Sequence, residues 1–175
     1  MTAAELLSVA AFLEGKYAQA FPSFGPERSG APVVAFCRID SRPIRLHEPV
    51  VEPDTVVIQD ATLLRSLDVF QGLEPHGFLL LNSGKSLRDL GLAEIVSRLP
   101  HLHARVVDAS AVAQKCLGKA LPNAALLGGL AALTGAVGID AIVEAITARF
   151  RGAAREGNAA AARAAYELVA GGASC

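Results

Sequence analysis

The run GFLLLNS, residues 77–83, limits the folds open to this chain more than any other stretch. A near-continuous apolar run of strand length, with no polar residue alternating into it, has to be covered on both faces. Two further runs share its form: TVVIQD at 55–60 and ARVVDA at 104–109. Between them lie segments with helical spacing, ATLLRSLDVF (61–70) and SLRDLGLAEIVSRL (86–99), the second broken at Gly91. Strands that alternate with helices and are apolar throughout predict an α/β chain: an open, mainly parallel, doubly wound Rossmann-like sheet.

The remainder attaches to that sheet. Thr2 to Glu5 fits a capping box, and Leu6, Ala10, Leu13 and Tyr17 form the stripe of a first helix. The segment VVAFCRI (33–39) reads as a strand, with RPIRLHE (42–48) as its partner in a β-hairpin. Ser110 is the expected N-cap of a helix over AVAQKCLGKA. After Pro122 the chain is helical: PNAALLGGLAAL, then IDAIVEAITARF (139–150) and NAAAARAAYELVA (158–170). The small residues of the first of these let its backbone approach a neighbour closely. No repeat and no linker divides the 175 residues, so one domain over 1–175 is expected. A doubly wound domain ordinarily opens with a strand and a glycine-rich turn. Here the first helix begins almost at Met1, so that strand and turn are expected to be absent from the sequence.

Composition removes several function classes. A net charge of −1 gives no basic surface for sequence-blind binding of nucleic acid. The apolar stretch 124–143 is interrupted by four glycines and Asp140, which reads as buried helix rather than a membrane span. The three cysteines, Cys37, Cys116 and Cys175, are widely separated. That spacing points to a reducing, cytoplasmic setting and to no iron–sulfur or zinc site held by this chain alone. His101 and His103 next to Pro100 lack a third ligand and read as surface histidines. No paired carboxylates or nucleophile–base set can be singled out for catalysis.

Ligands of open α/β sheets sit beyond the carboxyl ends of the strands. This directs attention to Asp60–Thr62, to Asn82–Ser86 and to Asp108–Ser110. Asp60 and Asp108 suit the capping of the helices that follow them. NSGKS (82–86) carries the tail of a phosphate loop, but the position five residues before Gly84 is Leu79, not glycine. Lys85 there offers an anion contact without nucleotide hydrolysis. The loop FPSFGPERSGAP (21–32) packs three prolines and two glycines around Glu27-Arg28-Ser29. A planar, permanently charged guanidinium at Arg28 matches phosphate oxygens, and Ser29 and Asn82 can hydrogen-bond the same group. Read plainly, the prolines do no more than stiffen a connection.

That loop also carries a resemblance. EGKYAQAFPSFGPERSGAPVVAFCRID (14–40) strongly resembles the gamma subunit of the 2-oxoacid:ferredoxin oxidoreductases, the pyruvate and ketoisovalerate type. Similar segments follow in order at 42–64, 77–83, 122–133 and 158–167, nearly the whole chain. The resemblance implies a subunit of an enzyme that converts a 2-oxoacid and coenzyme A to acyl-CoA, CO2 and a reduced acceptor. Thiamine diphosphate, Mg and 4Fe-4S clusters would lie on partners: alpha and beta subunits, a ferredoxin-like delta subunit, and a flavoprotein subunit where NAD is the acceptor. Coenzyme A would occupy a shared site. Matched positions imply contacts from Arg28, Ser29, Gly30, Asn82 and Ser83, with Ser23, Gly25 and Glu27 shaping the loop or meeting a partner. The family's GxGGxG-type turn would end just before Met1. Two other readings stand beside this one: an assembly subunit without ligand contact, and a stand-alone Rossmann-type nucleotide-binding enzyme.

Overall fold

The computed structural model describes residues 2–23, 33–46 and 48–172. Helix α1 (Thr2–Leu13) leads into strand β1 (Tyr17–Ser23), which pairs antiparallel with β2 (Val34–Asp40). The register runs from Tyr17 opposite Asp40 to Ser23 opposite Val34. The hairpin partner of 33–39 is therefore the segment before it and not 42–48. Pro43 lacks the N–H that a ladder needs, whereas Pro22 is tolerated at the edge of a two-stranded ribbon. Tyr17 also leaves the stripe of α1. Gly15 takes a left-handed φ of 77°, and Lys16 N–H reaches back to the Ala11 carbonyl at 3.0 Å, closing the helix before Tyr17.

Strands β3 (Thr55–Ile58), β4 (Phe78–Asn82) and β5 (Ala104–Val107) form a parallel sheet in the order β3-β4-β5. Among the described residues the strand order follows the chain and does not reverse, so this sheet has no switch-point crevice. Leu79, Leu80 and Leu81 are fully buried. Successive residues of β4 feed opposite layers, which is why the run has no polar member. Leu80 and Val107 join one core, while Leu79 and Leu81 join the other with Ile58, Ala104 and Val106. A 3-10 turn (Ala61–Arg65) and short α2 (Ala93–Arg98) cover the second core. Both are shorter than their periodicity predicts. Gly91, at φ 74°, separates the 86–90 turns from α2.

The first core is helical: α3 (Ala109–Leu117), α4 (Asn123–Thr134), α5 (Ile139–Arg149) and α6 (Gly152–Ala170). Helix α6 begins six residues earlier than NAAAARAAYELVA suggested, because Ala153 to Gly157 continue its turn. Helix α4 is buried from Ala124 to Ala131 on all sides, the expected state of a helix that is apolar all round. None of the helices among the described residues is long and apolar enough to cross a membrane. The small residues set the spacing of α4 and α6. A Cβ on Gly128 would stand 1.8 Å from the Ala162 carbonyl oxygen.

One polar clasp ties the chain's beginning to this bundle. Glu14 accepts from the Gly138 N–H at 2.6 Å and from Lys16 Nζ at 2.7 Å, and Lys16 also donates to the Ala136 carbonyl. Lys16 first, and then the Gly138 N–H, hold the Glu14 carboxyl below its ordinary value of 4.5. A carboxyl with a lowered folded-state pKa contributes fully above its unfolded value, and that contribution disappears as pH falls through the folded pKa. The clasp is solvent-accessible, so Glu14→Gln should lower Tm by no more than about 4 °C near neutral pH. Wild type and variant should converge in melts carried below about pH 4.

Candidate functional site at the strand carboxyl ends

The three parallel strands each end on a short polar side chain, and these meet at one rim. Asn82 is the centre. Its Nδ2 donates to the Gln59 carbonyl beyond β3 and to Ser110 Oγ at the start of α3, both at 2.9 Å. Its Oδ1 accepts the Ser110 N–H at 3.2 Å. Both donor hydrogens and one acceptor site of a single carboxamide thus bind three strand ends together. Ser110 is the second turn-forming partner in this arrangement rather than the N-cap. Asp108 caps α3, its Oδ1 accepting the Ala111 N–H at 2.8 Å.

The neighbouring turns are closed in the same way. Asp60 Oδ1 accepts from Thr62 Oγ1 at 2.7 Å and from Thr62 N–H at 2.9 Å. The Thr62 hydroxyl first, and then its N–H, lower the Asp60 pKa. Ser86 and Asp89 bond reciprocally across their turn. Gly84 lies so close to Asp108 that a Cβ would meet Oδ2 at 2.9 Å. The Lys85 N–H donates to Ser83 Oγ at 3.0 Å. Near the rim's mouth, Lys85 is exposed and Ser83 half-buried.

This geometry alters the expected anion chemistry. The first N–H groups of α3 are already accepted by Asn82 and Asp108, so that helix end offers an incoming phosphate few free donors. Asp60, Asp89 and Asp108 add negative charge. What the rim retains for an anion is the Lys85 ammonium and the Ser83 hydroxyl. The structure brings Asn82 and Ser83 together with Asp60, Asp108 and Ser110. Ser23 ends β1 in the hairpin. Gly25, Glu27, Arg28, Ser29 and Gly30 lie outside the described residues. So do Met1, Pro26, Pro32 and Cys175.

Gln59 was not legible as a rim residue from sequence. The available signal was the recurrence of Asp60, Asn82 and Asp108, each at or just past the end of an apolar strand. Among the described residues no group of three His, Cys, Asp or Glu is placed to hold a metal ion. The His103 ring stacks on Phe78 with centroids 4.0 Å apart, and its Nδ1 bonds the His76 carbonyl at 3.0 Å. Burial pushes the Cys37 thiol up to about 11, which keeps it protonated at neutral pH.

Known proteins similar to this chain in sequence and in fold agree with one another. The family model described as pyruvate ferredoxin/flavodoxin oxidoreductase matches residues 1–168. The pyruvate/ketoisovalerate oxidoreductases common subunit gamma of Pyrococcus furiosus is 48% identical over 167 residues, 95% of this chain and 89% of that protein. Pyruvate synthase subunit PorC of Methanocaldococcus jannaschii is 43% identical over 166 residues, 95% of this chain and 88% of that protein. In three dimensions, the crystal structure of pyruvate oxidoreductase subunit PORC from Thermotoga maritima superposes with a TM-score of 0.78 at 36% identity. That match covers 95% of this chain and 87% of the other. With a family model matched over residues 1–168 and a relative 48% identical across 95% of its length, the chain belongs to the gamma subunits of the 2-oxoacid:ferredoxin oxidoreductases.

Proposed function

We propose that this chain is the subunit of a CoA-acylating 2-oxoacid oxidoreductase that packs against the catalytic subunits and helps to hold coenzyme A at their junction. In this reading Arg28, Ser29 and Gly30 contact the coenzyme A phosphates. Ser83 and Lys85 border the same anion. Asn82 acts as a positioning residue, because its carboxamide is committed to Gln59 and Ser110. Thiamine diphosphate, Mg and 4Fe-4S clusters belong to alpha, beta and delta partners. Among the described residues the cysteines lie apart, Cys37 on β2 and Cys116 on α3.

The observation that carries the reading is the internal closure of α3. A cofactor with several phosphate charges needs cationic donors, and the described rim supplies one ammonium beside three carboxylates. The planar guanidinium of Arg28 is the group in this family's loop that matches the deficit. The hairpin supports it: β1 and β2 are the two strands between which 24–33 runs. Ser23, Gly25 and Glu27 then shape the loop or meet a partner.

The test is steady-state kinetics of the assembled complex. Arg28→Ala should raise KM for coenzyme A by roughly 10- to 100-fold, the loss of a charge-assisted hydrogen bond. Cluster absorbance and the KM for the 2-oxoacid should stay at wild-type values. An unchanged KM for coenzyme A removes Arg28 from the site and leaves a subunit whose role is assembly.

A further inference from the structure

Helix α1 is apolar on two sides. Leu6, Ala10 and Ala11 are buried against the bundle. On the outer side, Val9, Phe12 and Leu13 fall at i, i+3 and i+4, and Phe12 is 74% exposed. Thr2, Glu5 and Ser8 share that outer side toward the start of the helix, so the apolar exposure is concentrated in its last turn. Helix α6 shows the contrast within the same molecule, with Arg155, Glu156, Arg163 and Glu167 facing solvent.

The outer stripe does not end with the helix. Phe12 and Tyr17 line a cleft of about 400 Å³ with Ala18, Gln19, Pro43 and Ile44. Tyr17 is itself half exposed, and Leu46 continues the apolar surface at 59% exposure. Arg42 and Arg45 flank Pro43-Ile44. The ion pairs among the described residues are Lys16–Glu14, Arg98–Glu94 and Arg163–Asp140, so neither arginine is paired with a described carboxylate. An exposed apolar strip edged by arginines is complementary to an apolar surface edged by carboxylates.

We propose that the face formed by α1, the start of β1 and residues 42–46 docks a different polypeptide, a catalytic subunit, through an apolar patch bordered by Asp or Glu. This assignment rests on the reading that the chain packs against catalytic subunits, and adds which face does so and the chemistry that it meets. A second copy of this chain would bring the same arginines against each other across a two-fold axis, which disfavours it.

Co-expression of the full complex with a tagged variant chain tests the assignment. Phe12→Asp places a charge at a solvent-exposed position, so the variant should fold, as far-UV circular dichroism and a thermal melt will report. It should lose at least about tenfold of the catalytic subunits recovered with wild type. The pair Arg42→Glu and Arg45→Glu should weaken recovery and reduce its dependence on salt. Arg155→Glu, on the charged layer, should recover partner as wild type does. Amide exchange on wild-type chain, free and in complex, should show protection of 9–19 and 41–46 whatever the variants do. The face is wrong if folded Phe12→Asp recovers full partner, or if exchange over those segments does not change. It is wrong, too, if Phe12→Asp converts a wild-type self-dimer to monomer. Wild type that recovers no catalytic subunit overturns both the face and the packing reading.

Discussion

Gly128→Ala should destabilise the chain by about 3 kcal/mol and lower Tm by about 10 °C. The added methyl would stand 1.8 Å from the Ala162 carbonyl oxygen and 2.6 Å from its carbon. These are backbone atoms of a 19-residue helix and cannot swing aside as a side chain does. Relief requires α4 and α6 to separate, which loosens the Ala161, Ala162 and Ala165 contacts that are fully buried. Alanine improves helix propensity by about 1 kcal/mol over glycine, too little to reverse the sign. Gly129→Ala is the control. There the methyl would meet Leu80 Cδ2 and Val169 Cγ2 at 3.3 Å, and both can yield by a few tenths of an ångström. Thermal melts of the two variants should therefore differ by several degrees although the substitutions are adjacent and chemically the same.

Asn82→Leu should cost about 2–3 kcal/mol and lower Tm by about 8 °C. Leucine fills a similar volume but leaves the Gln59 carbonyl and the Ser110 N–H without the partners they have now. Because the rim is half-buried, water replaces part of what is lost, which keeps the effect below that of a core deletion. The consequence for function separates two roles. If Asn82 positions the rim and Arg28 contacts the phosphate, Asn82→Leu should raise KM for coenzyme A while also lowering Tm. Arg28→Ala should raise KM with Tm unchanged. Asn82→Asp sharpens the test. It retains an acceptor for Ser110 but loses both donated bonds, and it adds a fourth carboxylate to Asp60, Asp89 and Asp108. Its defect should grow as pH rises from about 4 to about 8, as the new carboxyl ionises.

Much of the architecture was legible in residue patterns. The run 77–83 identified a strand covered on both faces, and β3 and β5 followed from the same pattern. Gly128 and its small neighbours anticipated a close helix crossing. What periodicity missed lay where local signals compete. YAQAFPS continues the spacing of α1 and was absorbed into the helix and loop, yet Gly15 reverses the chain and makes it β1. Pro43 should have argued against 42–48 as a ladder strand, since a two-residue stretch of β-like side chains does not replace a missing N–H. The short α2 and the 3-10 turn reflect tertiary demand. Covering Leu79 and Leu81 needs apolar side chains above the sheet, and one or two turns suffice.

The rim was legible in part. Asp60 and Asp108 were expected to cap helices and do so. Asn82 was identified by position, but the commitment of its carboxamide depends on three segments meeting in space. No spacing in the sequence encodes that meeting. The same holds for the clasp between Glu14 and Gly138, whose partners are separated by 124 positions.

Protection of this chain by coenzyme A in the assembled complex is the most direct measurement of where the cofactor sits. Amide exchange with and without coenzyme A should slow over 24–33 and 83–86 and should leave 109–113 unaffected. Slowing centred on 109–113, or absent from this chain altogether, would contradict the account.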